Sequence, residues 1–166
     1  RGMEDSLRSR GCQNTAAADV SRAEFIRHNT SVMAPPLVPE IKLHLAHEAV
    51  PLWQKTEEEL GEMGLAPPFW AFAWAGGQAL ARYVLDHSST VENLRVLDLA
   101  TGSGMVAIAA VRAGSASIVA TDIDEFATTA AGMNADLNQV SLDIKLESWT
   151  MRQKIWIEKL SKWQDC

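Results

Sequence analysis

The sequence has two cysteines in 166 residues, Cys12 and Cys166, near opposite ends and outside any CxxC or Cys/His cluster. That excludes a disulfide-stapled scaffold and a zinc site of ligand-pair spacing. Basic residues are in the minority, 15 Lys and Arg against 21 Asp and Glu for a formal net charge of −6. An extended phosphate-binding surface is therefore not expected, and nucleic acid is not an expected partner. No apolar run approaches the roughly 18 to 20 residues that span a bilayer, and the N-terminus lacks a basic stretch followed by an apolar core. No membrane segment is expected, and the default compartment is the cytoplasm. What is present, 47% hydrophobic and 22% charged residues, is the composition of one ordinary globular domain with a single core.

The chain is organised around Leu94 to Gly104, an apolar run that breaks into a glycine turn and then an alanine-rich helix. Leu94, Val96, Leu97 and Leu99 have the density of a strand buried on both faces, and Gly102 and Gly104 let the backbone turn sharply and approach a ligand without Cβ interference. Asp98 does not fit a plain core strand. Its carboxylate sits inside the apolar run, where burial is costly unless it finds donors.

Residues 1–19 show neither helical nor strand periodicity and read as a mobile leader; the domain itself is expected over 20–148. Prolines 35, 36 and 39 enforce an extended path, after which Ile41, Leu45, Ala49 and Leu52 predict an amphipathic helix limited by Pro51. His44 and His47 sit three apart on that predicted helix, but a metal would need at least one more ligand, so no metal site is expected. If the segment Phe69 to Gly77 is extended, Trp70, Phe72 and Trp74 fall on one face. Core filling and an aromatic wall beside a flat ligand are both open readings of that face. Gly76-Gly77 then breaks the segment ahead of a helix from about Gln78 to Leu85.

Met105 to Ala113 predicts a helix buried nearly all round, ended by Gly114, and Ser117 to Thr121 a β-branched strand. Glu125 to Leu137 returns to helical spacing behind Asp124, which is expected to cap it, and Leu142, Ile144 and Leu146 alternate as a third strand. Strand and helix alternate in the βαβ rhythm, which predicts an α/β, Rossmann-like parallel sheet with flanking helices and ligands beyond the carboxyl ends of the strands. The last segment, 149–166, carries Trp149, Trp156 and Trp163 at seven-residue intervals with four basic and two acidic residues. It reads as an amphipathic terminal helix packed on the body or as sequence foreign to the domain, and a membrane-surface or partner-binding role is the alternative.

Gly102-x-Gly104-x-x-Ala107, with Asp122 eighteen residues after Gly104, formally satisfies the dinucleotide pattern. An NAD(P)-binding oxidoreductase is accordingly one reading. A carboxylate at Asp98, however, would repel a pyrophosphate at the helix N-terminus. It would favour a ligand with a cationic amino acid part, while Asp122 accepts hydrogen bonds from ribose. S-adenosylmethionine has that character, a nucleoside with an ammonium and a sulfonium and no phosphate.

Val96-Leu97-Asp98-Leu99-Ala100-Thr101-Gly102-Ser103-Gly104 resembles the first motif of the seven-strand (class I) S-adenosylmethionine-dependent methyltransferases, and Val119-Ala120-Thr121-Asp122-Ile123-Asp124 their second. The stretch Pro68 to Leu80, with Arg27-His28-Asn29-Thr30 and Asn134-Ala135-Asp136-Leu137-Asn138, is similar to the protein-lysine methyltransferases that modify the electron transfer flavoprotein beta subunit. The resemblance covers about Glu24 to Glu147. It implies that Asp98 contacts the methionine amino end, that Ala100, Thr101, Gly102 and Gly104 form the cofactor turn, and that Asp122 binds ribose with Ile123 beside adenine. It further implies that Trp70 and Trp74 line the cofactor or substrate entrance. The implied partner is a protein lysine, in that flavoprotein subunit by the closer likeness, and the implied compartment in a eukaryote is the mitochondrial matrix. The family's acid-aromatic motif of the following strand is not found, so no catalytic residue is assigned. The chain reads as the N-terminal, cofactor-binding half of the fold, ending after its third strand. A non-catalytic interaction module on the same fold is the reading from a different class.

Overall fold

A computed structural model describes residues 21–46 and 67–147. The predicted leader over 1–19, His47 and the segment 149–166 lie outside the described residues. In chain order the elements are a helix over residues 21–29 (α1), strands β1 (Ser31–Met33) and β2 (Leu43–Leu45), a 3-10 turn at Phe69–Ala71, and helix α2 (Ala75–Asp86). A second 3-10 turn (Ser88–Thr90) leads to β3 (Arg95–Leu99), α3 (Met105–Arg112), β4 (Ser117–Asp122), α4 (Glu125–Leu137) and β5 (Asp143–Leu146).

The last three strands form a parallel sheet in the order β3-β4-β5, with Asp98 opposite Ala120 and Ala120 opposite Ile144. Parallel neighbours need crossovers, and α3 and α4 supply them, so the predicted α/β layering stands. Helix α3 is buried at Met105, Ala107, Ile108, Ala109 and Ala110, and Gly114, at φ +88°, ends it in a conformation that costs a side-chain-bearing residue more than glycine. Strand β3 departs from expectation. Leu94, just before it, and Leu99 are 53% and 43% exposed, and among the described residues β3 pairs with β4 alone and has no strand at its other edge. Its inward-facing Val96 still packs on the core formed with Ile108 and Ala120.

The helix predicted from Ile41 begins instead as a strand. Ile41, Leu43 and Leu45 are buried while Lys42 is exposed and His44 half-buried, a period of two, and β2 pairs antiparallel with β1. Ile41 and Leu45 satisfy both periodicities, and the tertiary partner decides. That partner is α4. The amides of Lys42 and His44 donate to the side-chain oxygens of Asn138 (3.0 Å) and Asn134 (2.7 Å). Two strand residues advance about 6.6 Å and four helix residues about 6 Å, so asparagines one turn apart match alternate amides of a strand edge. Asn134 also donates to the Ser103 carbonyl at 2.8 Å, which ties the hairpin to the glycine turn through one fully buried side chain. Replacing Asn134 by Leu leaves the His44 amide and the Ser103 carbonyl unpaired. Urea denaturation is expected to show a loss of about 2 kcal/mol.

Candidate functional site

The carboxyl ends of β3 and β4 open into a cavity of about 850 Å³. Its floor is the turn between β3 and α3, in which Ala100, Gly102 and Gly104 all have positive φ, at +53°, +54° and +79°. Three left-handed residues in five reverse the chain within one turn. Ala100 alone among them carries a Cβ in this region, at a cost of about 1 kcal/mol. Ala100→Gly relieves that strain against glycine's greater unfolded entropy. Thermal unfolding is expected to show Tm unchanged or raised by a few degrees.

Two carboxylates fix the turn. Asp98, half-buried at the end of β3, accepts hydrogen bonds from the Thr101 hydroxyl (2.6 Å) and the Ala107 amide (3.1 Å) in the first turns of α3. Burial pushes its carboxyl above the ordinary carboxylate range, the Thr101 and Ala107 bonds oppose that rise, and the nearby Asp122 charge adds to it. Asp122 accepts from the amides of Gly102 (2.9 Å), Ile123 (2.8 Å) and Asp124 (3.1 Å), so it clasps the glycine turn from the end of the neighbouring strand. Asp124 caps α4 as expected, accepting from the Phe126 amide at 2.8 Å, and burial also raises its carboxyl. Asp98, Asp122, Asp124 and Glu125 all line the cavity, Glu125 in an ion pair with Arg22 at 2.7 Å, and among the described residues no Lys, Arg or His lines it.

The aromatic segment forms the opposite wall, but not as an extended strand. Phe69 to Ala71 is a 3-10 turn, so Trp70 points inward at 3% exposure while Trp74 is 55% exposed, and the single aromatic face expected for Trp70, Phe72 and Trp74 does not form. Pro67 and Pro68 start the turn, and hydrogen bonds from the Ala71 amide to the Pro68 carbonyl and from the Ala46 amide to the Ala71 carbonyl hold it to the N-terminal hairpin. Trp70 stacks on Phe126 with centroids 6.2 Å apart, and Phe126 meets Phe25 of α1 edge-on at 5.2 Å. Gly76 and Gly77 do not break the segment; they lie in the first turn of α2, which starts at Ala75, and a Cβ on Gly77 would stand 3.0 Å from the Met105 methyl.

Of the residues expected at the cofactor, Asp98, Ala100, Thr101, Gly102, Asp122, Ile123, Trp70 and Trp74 line this one cavity. Gly104 does not. It faces α4, where a Cβ would stand 3.1 Å from the Ala131 Cβ, so its lack of a side chain serves helix packing. Phe72 lines the cavity too, as the aromatic-wall reading allowed, and Phe69, Leu80, Met105 and Phe126 join the walls without having been expected there. The signal for Phe69 and Phe72 lay in the aromatic run itself, read as strand rather than turn. Among the described residues no group of His, Cys, Asp and Glu is arranged to hold a metal, and no helix is long and apolar enough to cross a membrane.

The family model described as ribosomal protein L11 methyltransferase (PrmA) matches residues 78–159. A Xenopus laevis protein named electron transfer flavoprotein beta subunit lysine methyltransferase is 40% identical over 130 residues, 78% of this chain and 52% of that protein. The Homo sapiens protein of the same name is 39% identical over 118 residues, 70% of this chain and 44% of its own length. The crystal structure of a ribosomal protein L11 methylase from Lactobacillus delbrueckii subsp. bulgaricus aligns with a TM-score of 0.43 at 33% identity, over 50% of this chain and 43% of that one. The chain spans about half the length of the curated relatives it matches.

Proposed function

Since this chain belongs to the class I S-adenosylmethionine-dependent methyltransferases, related to the electron transfer flavoprotein beta subunit lysine methyltransferases, we propose that it binds S-adenosylmethionine in the cavity above β3 and β4 and serves methyl transfer to a protein lysine. The observation that carries this reading is the charge of the cavity wall: the carboxylates of Asp98, Asp122 and Asp124 beside a glycine turn, with no basic residue among the described residues that line it. Such a wall suits a cationic, phosphate-free nucleoside and disfavours the pyrophosphate of NAD.

In this reading Asp98 holds the ammonium of the cofactor's amino acid end, which supplies the opposite charge that its buried carboxylate lacks. The Asp122 carboxylate has one lone pair left on the oxygen bonded to Gly102, and there it accepts from a ribose hydroxyl. Ile123, 70% exposed at the end of β4, lies against the adenine. When bound, the cofactor would supply an electrophilic methyl on sulfonium to a neutral amine, the positive charge passing from sulfur to the methylated nitrogen. The protein's part is alignment and exclusion of water. Its apolar wall of Met105 and Phe126 also desolvates the incoming lysine, which favours the neutral amine that reacts.

The electron transfer flavoprotein beta subunit is the proposed acceptor, by relationship to the proteins named above. Incubating it with this chain and S-adenosylmethionine is expected to give lysine products about 14 Da heavier per methyl, read by peptide mass spectrometry. Cofactor binding without any methylated lysine would instead favour a non-catalytic binding module.

A further inference from the structure

Phe69 and Trp74 are 60% and 55% exposed, while Trp70 between them is buried. Two large exposed rings at the mouth of one cavity are a feature that core filling does not explain. Their geometry is fixed. The Trp74 indole Nε1 donates to the Phe69 carbonyl at 2.8 Å, and the Trp74 ring lies 6.1 Å from Phe69 at 52° and 5.8 Å from Phe72 at 58°. Because its N–H is used within the segment, Trp74 offers a visitor its ring face rather than a donor.

We propose that Phe69, Phe72 and Trp74 form the acceptor mouth and bind the cationic side chain of a protein lysine by their ring faces before it enters the cavity. The inference rests on the methyltransferase reading for the identity of the visitor, but the preference for a cation comes from the site. Aromatic faces attract ammonium groups, and the carboxylates of Asp98, Asp122 and Asp124 draw positive charge into the cavity beyond them. An apolar peptide would meet the same rings without that second attraction. In this arrangement the mouth holds the protonated amine, and the apolar wall deeper in favours its loss of the proton to water.

The test uses the full chain saturated with S-adenosylhomocysteine, titrated with Nα-acetyl-lysine amide and with the neutral Nα-acetyl-norleucine amide, and followed by tryptophan fluorescence and NMR. The lysine probe is expected to bind at least about fivefold more tightly than norleucine, and Trp74→Ala to weaken it about five- to tenfold. Phe69→Leu, at an equally exposed position, is expected to weaken it about two- to threefold. The dissociation constant for S-adenosylhomocysteine is measured on the same samples and is expected to move less than twofold in either variant. Equal binding of the two probes overturns the inference, and so does a Trp74→Ala variant that loses the nucleoside while keeping lysine. Failure of the wild-type chain to bind the nucleoside, with Trp74-dependent lysine binding retained, overturns the cofactor reading and supports the mouth.

Discussion

Asp98→Asn is expected to lower S-adenosylmethionine affinity by about 30- to 100-fold while leaving the unliganded chain as stable as the parent or more so at neutral pH. Both effects have one cause. The Asp98 carboxyl is raised by burial, against the opposing bonds from Thr101 and Ala107, so the folded chain holds that proton more tightly than the unfolded chain does. With more protons bound in the folded state, stability falls as pH rises from the ordinary carboxylate range through the raised value, and the loss is complete above it. At neutral pH the charge therefore costs stability until a cation faces it. The amide keeps an oxygen to accept from Thr101 and Ala107 but removes the charge, which relieves the unliganded chain and deprives the ammonium of its partner. Calorimetric titration and urea denaturation of both proteins check the pair of expectations. In the wild type, affinity is also expected to decline on acidification at a higher pH than an ordinary carboxylate would give, and the variant is expected to lack that decline.

Gly104→Val is expected to unfold the domain or destabilise it by at least about 4 kcal/mol. Gly104 stands at φ +79° and its absent Cβ would lie 3.1 Å from the Ala131 Cβ and 3.2 Å from the Ala131 Cα. The backbone conformation disfavours a β-branched residue, and the contact cannot be relieved by a rotamer because the obstacle is backbone on a buried face of α4. Gly102→Ala is the matched control: it has similar φ, at +54°, but a Cβ there would make only an ordinary 3.8 Å contact with Trp70. It is expected to cost about 1 to 2 kcal/mol and to retain the fold. Circular dichroism and urea denaturation distinguish the two.

The sequence made the βαβ core legible because its signals were local and mutually consistent. β-branched residues at Ile118 and Val119, glycine at Gly114 and an aspartate cap at Asp124 each fix a boundary without a distant partner. The N-terminal part was less legible for the opposite reason. Ile41, Leu43 and Leu45 become a strand because Asn134 and Asn138, 90 and 96 residues beyond the amides they bind, take the edge amides, and no local pattern contains that information. Trp70, Phe72 and Trp74 misled in the same way: alternation suggested a strand, while consecutive prolines and the Ala46 bond bend the segment into a turn. At the site, Asp98 and Asp122 could be read as cofactor candidates from their places at strand ends. That Asp122 also clasps the Gly102 amide, and that Gly104 serves α4 instead of the cavity, required the fold.

A cavity above β3 and β4 that suits a cationic nucleoside without phosphate is expected to separate two ligands in isothermal titration of the whole chain. S-adenosylmethionine is expected to bind saturably, one to one and more weakly in Asp98→Asn, and NAD not to bind at matched concentrations. Binding of NAD with none of S-adenosylmethionine would contradict it.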